Sequence, residues 1–175
     1  MGANTAPILE TERLRLRGFV PADFDSYAAI LAKPEVHRFL GPPMERPDIW
    51  NRILAGVGQW SLYGHGTWMV TRKEDDRLIG TVSLFHAIRD LGFDPKGVEM
   101  GWIIDSDCHG QGFATETCNA VLEWFEREYD STPIWAIIEP GHDASFKLAH
   151  KLGFELVEER DFHEGPIAIL KRPAW

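Results

Sequence analysis

The chain has 175 residues, of which 44% are hydrophobic and 11% aromatic. A chain of this length is typical of one domain and can bury roughly 70% of its unfolded surface. Its formal net charge of −9 argues against a nucleic-acid or anionic-membrane surface and favours cationic partners such as amines.

The first third of the chain predicts one strand followed by two helices. Apolar residues alternate with arginines over residues 14–19, which is typical of a half-buried strand. Residues 21–33 predict a helix that Pro34 ends. After a predicted loop at residues 42–47, apolar residues at helical spacing predict a second helix over residues 49–60.

The middle of the chain changes to the two-residue period of strands. Strands are predicted over residues 68–71 and 78–85, and the acidic turn between them makes a hairpin. A polar loop at residues 89–96 leads to a third strand over residues 98–104. That strand runs directly into a turn with two glycines.

The C-terminal part predicts two helices, one apolar strand and a final hairpin. In chain order these are a helix over 114–129, a strand over 134–138, a helix over 144–152 and hairpin strands over 154–157 and 167–170. Because no linker or repeat interrupts the pattern, we predict one mixed α+β domain spanning residues 8–175, with a short tail at residues 1–7.

Targeting signals and cysteine pairs are not evident in the sequence. Cys108 and Cys118 have no second pair, so neither a disulfide framework nor a zinc site is predicted. The longest uncharged stretch, residues 53–71, is interrupted by glycines and is not a membrane span. The N-terminal residues lack the basic and apolar regions of a signal peptide, so we predict a cytoplasmic protein with no membrane or nucleic-acid partner.

Residues 109–116, His-Gly-Gln-Gly-Phe-Ala-Thr-Glu, join the third strand of the middle region to a helix. Two glycines let the backbone curl without Cβ clashes. Successive N–H groups and the positive end of the helix dipole can therefore converge on a phosphate. Because residues 108–115 contain no Asp or Glu, the sequence predicts an anion site at this turn.

Two nucleotide-binding motifs do not fit this turn. A P-loop needs Gly-Lys-Ser/Thr to hold phosphates and magnesium, and no lysine follows Gly112. A dinucleotide-binding turn needs a third glycine, but Phe113, Ala114 and Thr115 follow instead.

A different signature does fit the turn. It reads Arg or Gln, two residues, Gly, one residue, and Gly or Ala, and His109, Gly112 and Ala114 occupy its positions. Through this motif the chain resembles the GNAT superfamily of acetyl-CoA-dependent N-acetyltransferases, although histidine departs from the first position. Further matches over nearly the whole chain lie at residues 10–14, 78–80 and 144–154. The segments 98–102 and 112–116 resemble the branch of ribosomal-protein N-terminal acetyltransferases.

The resemblance implies a fold and an activity. The expected fold is a single α+β GNAT-like domain, with a mixed, mostly antiparallel sheet of about seven strands flanked by about four helices. The expected reaction is transfer of acetyl from acetyl-CoA, as co-substrate, to a primary amine by direct attack on the thioester. The amine is a protein N-terminus or a small molecule, no metal is required, and the protein is a monomer or a homodimer.

The resemblance also implies where CoA binds, with its diphosphate on the turn amides and its pantetheine arm along the preceding strand. The predicted CoA-binding residues are Trp102, Ile103, Ile104, His109, Gly110, Gln111, Gly112, Phe113, Ala114, Thr115, His142 and Ser145. Because histidine titrates near neutral pH, we hypothesise that His109 makes CoA affinity depend on pH, which an affinity flat from about pH 5.5 to 8 contradicts. His142 replaces an asparagine that contacts pantetheine in the family. Three interpretations of His142 stay open: it donates the same hydrogen bond, it acts as an acid, or it lies exposed in its loop.

Catalytic roles have candidates near the same strand. Backbone N–H groups at residues 102–104 are predicted to stabilise the oxyanion. Glu99 is the candidate general base, since partial desolvation would raise its pKa. The alternatives are an exposed or ion-paired Glu99, with a water chain as base. Ser145 is the candidate acid, because the tyrosine that serves many superfamily members corresponds to Ala149, and the alternatives for Ser145 are helix capping or a CoA contact.

A second hypothesis is a non-catalytic module that binds or senses acyl-CoA. The departures from the family pattern at His109, His142 and Ala149 favour it. A metal enzyme is not predicted, because the remaining histidines show no pair at metal-ligand spacing with a third ligand. Those histidines are His37, His65, His86, His150 and His163.

Overall fold

The structure, a computed structural model, describes residues 5–88, 97–162 and 165–175. Within these ranges eight strands lie in one sheet. In chain order they are β1 (Leu9–Glu10), β2 (Leu14–Arg17), β3 (Thr67–Arg72), β4 (Leu78–Phe85), β5 (Val98–Ile104), β6 (Ile134–Ile138), β7 (Glu155–Phe162) and β8 (Gly165–Arg172).

Helices in the same ranges cover both faces of the sheet. They are α1 (Phe24–Leu31), α2 (Pro34–His37), α3 (Arg46–Tyr63), α4 (Phe113–Glu128) and α5 (Asp143–Lys151). Both α2 and α3 carry a proline in their first turn, where its missing N–H removes no helical hydrogen bond. None of the helices in the described part of the chain is long and apolar enough to cross a membrane.

The strand order is β1-β2-β3-β4-β5-β6-β8-β7. All neighbouring pairs are antiparallel apart from β5 and β6, which are parallel. Parallel neighbours need a crossover, and α4 lies in the connection between them. This architecture confirms the predicted α+β class with a mixed, mostly antiparallel sheet.

One hydrophobic core lies on each face of the sheet. Side chains of α4 and α5 pack on one face against Val98, Met100 and Ile104 of β5. Side chains of α1, α2 and α3 pack on the other face, against Ile103 of the same strand. This alternation assigns each β5 side chain to a face.

The elements that sequence periodicity missed are short. β1 has two residues and α2 has four, which is too short for a period to be visible. Pro34 does follow the end of α1 at Leu31, but it is also the first residue of α2. α3 begins at Arg46, inside the loop predicted at 42–47, and the predicted loop at 89–96 lies outside the described residues.

Gly56 lies in the middle of α3, where glycine weakens a prediction of helix. A Cβ atom at Gly56 would lie 2.4 Å from Oγ1 of Thr67 in β3. The helix therefore approaches the sheet more closely than any other residue would allow. Tertiary packing, which periodicity does not report, keeps α3 continuous here.

His65 makes the core sensitive to pH. Its ring is 3% exposed and donates an N–H to the carbonyl oxygen of Leu84 at 2.9 Å. Burial lowers the pKa of His65, the Leu84 bond opposes this in part, and the nearby His86 adds to it. The folded state thus favours the neutral ring.

Replacing His65 with glutamine is expected to flatten the loss of stability on acidification. A histidine whose pKa is lowered by folding stabilises the protein above its unfolded pKa of about 6.5, and this stabilisation is lost as the pH falls below that value. Urea unfolding midpoints between about pH 8 and pH 5 test this. An equally steep pH dependence in both proteins would contradict it.

Candidate active site

β5 and β6 separate along their length. They pair in parallel at two registers, Val98 with Ile134 and Glu99 with Trp135. The pairing of β5 with β4 continues to Ile104, opposite Gly80. Beyond Glu99 a gap therefore opens between β5 and β6, on the edge of β5 that faces away from β4.

Backbone groups of β5 face this gap. The N–H of Asp105 donates to Ile79 O at 2.7 Å, which sets the phase of the β4–β5 ladder. In an antiparallel ladder alternate residues bond the partner strand. Ile103 accordingly directs its backbone groups to β4, whereas Trp102 and Ile104 direct theirs into the gap.

The turn after β5 ends at the N-terminus of α4. Gly110 and Gly112 have φ angles of 73° and 81°, in the left-handed region where glycine is favoured. The first helical bond runs from Glu116 N–H to Gly112 O at 3.0 Å. No described side chain caps the helix, so the amides of residues 113–115 lack both a helical partner and a side-chain cap.

His109 is tied to the end of β5. Its Nε2 lies 2.8 Å from the carbonyl oxygen of Ile104. Because a carbonyl only accepts, Nε2 carries the hydrogen in this bond. A neutral ring is sufficient for it, so this contact of His109 does not require a charge.

Two other side chains of the turn, Phe113 and Gln111, make contacts away from the amides at the start of α4. Phe113 is buried in the core below α4, and the Gln111 amide donates to Asp107 O at 3.1 Å. Ala114 and Thr115 are half-buried. An anion bound at residues 111–115 would therefore meet mainly backbone N–H groups.

Trp102 and Ser145 come together on the α4 and α5 face of the sheet. The indole Nε1–H donates to Ser145 Oγ at 3.3 Å. Ser145 lies in the first turn of α5 and is 8% exposed, while Trp102 packs edge-on against Phe154. Two residues that are 43 positions apart in sequence thus form one contact.

His142 precedes α5 and stacks on Phe39, with ring centroids 4.0 Å apart and planes 14° apart. The Arg38 guanidinium lies 5.1 Å from the centroid of the Phe39 ring. Burial lowers the pKa of His142, and the nearby His109 and Arg38 lower it further. These surroundings favour the neutral ring of His142 although the nearby Asp143 opposes them, and a neutral ring can donate one N–H hydrogen bond.

Glu99 lies on the opposite face of the sheet from Trp102. By strand alternation its side chain shares the face of Ile103, which α1 and α3 cover. It is half-buried and pairs in register with Phe85 and Trp135. Its role as general base stays a prediction. Ala149 is fully buried in the core below α5.

An ion-pair network at the end of β5 was not found from the sequence. The carboxylate of Asp105, 2% exposed, accepts from Lys33 Nζ at 2.5 Å and from Arg77 Nη2 at 2.6 Å. Asp107 pairs with the same two cations. Burial disfavours ionisation of Asp105, but the bonds from Lys33, the Asp107 amide and Arg77 outweigh it and lower its pKa.

The cysteines and histidines do not form a reactive or metal-binding cluster in the part of the chain that is described. Cys108 and Cys118 are both buried, and burial raises the pKa of each thiol. No group of three or more His, Cys, Asp or Glu side chains there could hold a metal ion. His163 lies outside the described residues.

Comparison with known sequences gives matches that cover most of the chain. Residues 13–155 match the family model of the acetyltransferase (GNAT) domain. The chain is also 29% identical to the uncharacterized N-acetyltransferase YoaA of Bacillus subtilis over 153 residues, which are 85% of this chain and 83% of YoaA.

Solved structures share the fold over nearly the full chain. The acetyltransferase from Agrobacterium tumefaciens superposes with a TM-score of 0.80 at 26% identity, covering 95% of this chain and 94% of that one. RimL, a ribosomal L7/L12 α-N-protein acetyltransferase solved in complex with coenzyme A, gives a TM-score of 0.77, covering 96% and 98%. At 14% identity, the likeness to RimL shows the fold alone.

Proposed function

Because the chain belongs to the GNAT acetyltransferase family, we propose that it transfers acetyl from acetyl-CoA to a primary amine by direct attack on the thioester. The observation that carries this proposal is that β5, which borders the β5–β6 gap, leads through the glycine turn to the uncapped first turn of α4. A thioester on a long arm that ends in a diphosphate matches the order of these two features, and its negative charge suits the helix N-terminus.

The amides at the start of α4 suit the diphosphate. Hydrogen bonds to charged groups contribute roughly 1.5 to 3 kcal/mol each. The free N–H groups of residues 113–115 and the helix dipole together offset the lack of a permanent cation at position 109. In this proposal the turn binds CoA through its backbone.

The gap-facing amides of β5 suit the thioester carbonyl. As the amine nitrogen attacks the carbonyl carbon, negative charge develops on the oxygen, and a backbone N–H of Trp102 or Ile104 stabilises it. The C–S bond then breaks and the CoA thiolate leaves. The attacking nitrogen loses a proton to Glu99, on the face of the sheet that α1 and α3 cover, or to water.

Ser145 is proposed to protonate the leaving thiolate. The Trp102 indole N–H occupies one lone pair of Ser145 Oγ, so the hydroxyl proton can point to another acceptor. His142, held neutral and stacked on Phe39, is proposed to hydrogen-bond the pantetheine arm. Both groups lie on the same helix start.

Replacing Ser145 with alanine is expected to lower kcat about tenfold. This is less than many general acids contribute, because a thiolate whose thiol has a pKa of about 8.5 is a good leaving group near neutral pH. The KM for acetyl-CoA should stay unchanged. Steady-state thiol release measures both constants, and Ser131→Ala, at an exposed position, is the control. A raised KM with unchanged kcat would assign Ser145 to CoA binding instead.

An α-amine is the acceptor class that the chemistry favours. Its pKa near 8 leaves roughly a fifth of it neutral at about pH 7.4, whereas a lysine amine of pKa about 10.4 is only about 0.1% neutral. RimL is an α-N-protein acetyltransferase, and we extend the class of protein α-amines to this chain as a proposal.

The test measures thiol release from acetyl-CoA against peptides with free N-termini, the same peptides with acetylated N-termini, and small amines. Release that requires a free α-amine supports the proposal. Thermal stabilisation by CoA without release across the panel would instead support a non-catalytic acyl-CoA sensor. Stabilisation by ATP alone would overturn CoA binding.

A further inference from the structure

Arg13 contacts the glycine turn that precedes α4. It directly precedes β2, and its Nη1 donates to the carbonyl oxygen of Gln111 at 2.9 Å. Its guanidinium carbon lies 4.3 Å from the centroid of the Phe113 ring. The only hydrogen bond given to the Gln111 carbonyl within the described residues comes from this side chain.

Glu116 holds the guanidinium in place. One carboxylate oxygen accepts from Arg13 Nε at 2.7 Å, and the other accepts from the Arg13 backbone N–H at 3.0 Å and the Thr11 hydroxyl at 2.5 Å. Burial of Glu116 disfavours its charge, but these donors outweigh burial and lower its pKa. Donors on both carboxylate oxygens of Glu116 thus fix the Arg13–Glu116 ion pair in place.

The bond to Gln111 orients the next amide. A trans peptide is planar, so the Gln111 carbonyl and the Gly112 N–H point in opposite directions. Arg13 draws the carbonyl to its own side of the turn, and the Gly112 N–H must face the other side. A Cβ atom on Gly112 would lie 3.5 Å from Arg13 Nη2, so the guanidinium also packs against this residue.

We infer that Arg13 is a positioning residue for the diphosphate cradle: it fixes the Gln111–Gly112 peptide so that the Gly112 N–H joins the amides of α4. The inference rests on the proposed function. Glu116 neutralises most of the Arg13 charge at short range, so Arg13 acts through backbone orientation. A lysine, with one point donor instead of a planar fork, cannot bond Glu116 and Gln111 in the same way.

The test compares Arg13→Met and Arg13→Lys with Arg15→Met. Arg15, two residues further along in β2, is exposed to the same degree and pairs with Glu10 and Asp76. Its replacement removes the same charge from a side chain that does not contact the turn. Calorimetry gives the Kd of CoA. Kinetics give kcat/KM for acetyl-CoA and for S-acetylpantetheine, which has the thioester arm and lacks the diphosphate.

Arg13→Met is expected to raise the Kd of CoA and the KM for acetyl-CoA about tenfold, equivalent to roughly 1.4 kcal/mol, with kcat unchanged. Arg13→Lys should lose nearly as much. The kcat/KM for S-acetylpantetheine should be unchanged in both variants, and Arg15→Met should match the wild type throughout.

Three results would overturn the inference. CoA binding unchanged in Arg13→Met would show that the turn holds its own shape, and full activity in Arg13→Lys would show that charge alone matters. An equal loss of kcat/KM with both thioesters would mean that Arg13 only supports the fold. The ratio of the two kcat/KM values does not change when part of the variant is unfolded, so it separates the two cases. Wild-type protein that fails to bind CoA would overturn the proposed function itself, and is seen before any variant is made.

Discussion

Replacing Gly112 with valine is expected to lower kcat/KM for acetyl-CoA by at least about 100-fold. Gly112 has φ 81°, and a β-branched residue is a genuine outlier in that region, at a cost of roughly 1 to 2 kcal/mol. The chain relieves this strain by rotating φ, which turns the amides on either side of residue 112. Two misdirected donors are enough for the expected loss.

Gly153→Val is the matched control for this prediction. Gly153 follows α5 with φ 83°, so the same substitution meets the same backbone strain away from the turn. We expect Gly153→Val to be less stable and to keep the wild-type KM for acetyl-CoA. Thermal shift with CoA gives a second measurement. Normal CoA affinity in Gly112→Val would remove the turn from the proposed site.

Replacing Asp105 with alanine is expected to lower the free energy of unfolding by about 3 kcal/mol, the lower end of the cost of breaking a buried ion pair. The lower end applies because Lys33 and Arg77 are 28% and 41% exposed and stay partly hydrated after the carboxylate is removed. Urea unfolding measures the change. Asp107→Ala, which removes an exposed carboxylate from the same two cations, should change the midpoint little.

The pH dependence of this network has a definite sign. Folding lowers the pKa of Asp105, so its stabilisation is present above the unfolded value of about 3.9 and is lost as the pH falls through the folded value. In Asp105→Ala the acid limb of the stability profile should be shallower. Equal free energies of unfolding for Asp105→Ala and Asp107→Ala would contradict the prediction, because the buried carboxylate would then contribute no more than the exposed one.

Local patterns made most of the fold predictable. The two-residue period of β5 and the helical period of α4 were visible, and the glycines between them marked the turn. Trp102 and Ser145, chosen separately, lie in contact. Periods report which face of an element is buried, and that was sufficient to find the position of the turn, whereas the family was found from the motif that the turn carries.

Contacts between distant residues were not predictable in this way. Arg13 and Glu116 are 103 positions apart, and Lys33 and Asp105 are 72 apart. An arginine in an alternating strand and a glutamate in a first helical turn each have an ordinary local explanation. Only the three-dimensional arrangement shows that they meet at the turn.

The separation of β5 from β6 divides the sheet into two sets of strands. β1 to β5 form one continuous antiparallel ladder, and β6, β8 and β7 form another. Among the residues that the structure describes, only the registers at Val98 and Glu99 join the two ladders. Elsewhere the two sets are held together by side chains, since the core under α4 and α5 takes residues from β5 and also from β6 and β8. A long arm can therefore lie between β5 and β6 without breaking a backbone bond of the sheet.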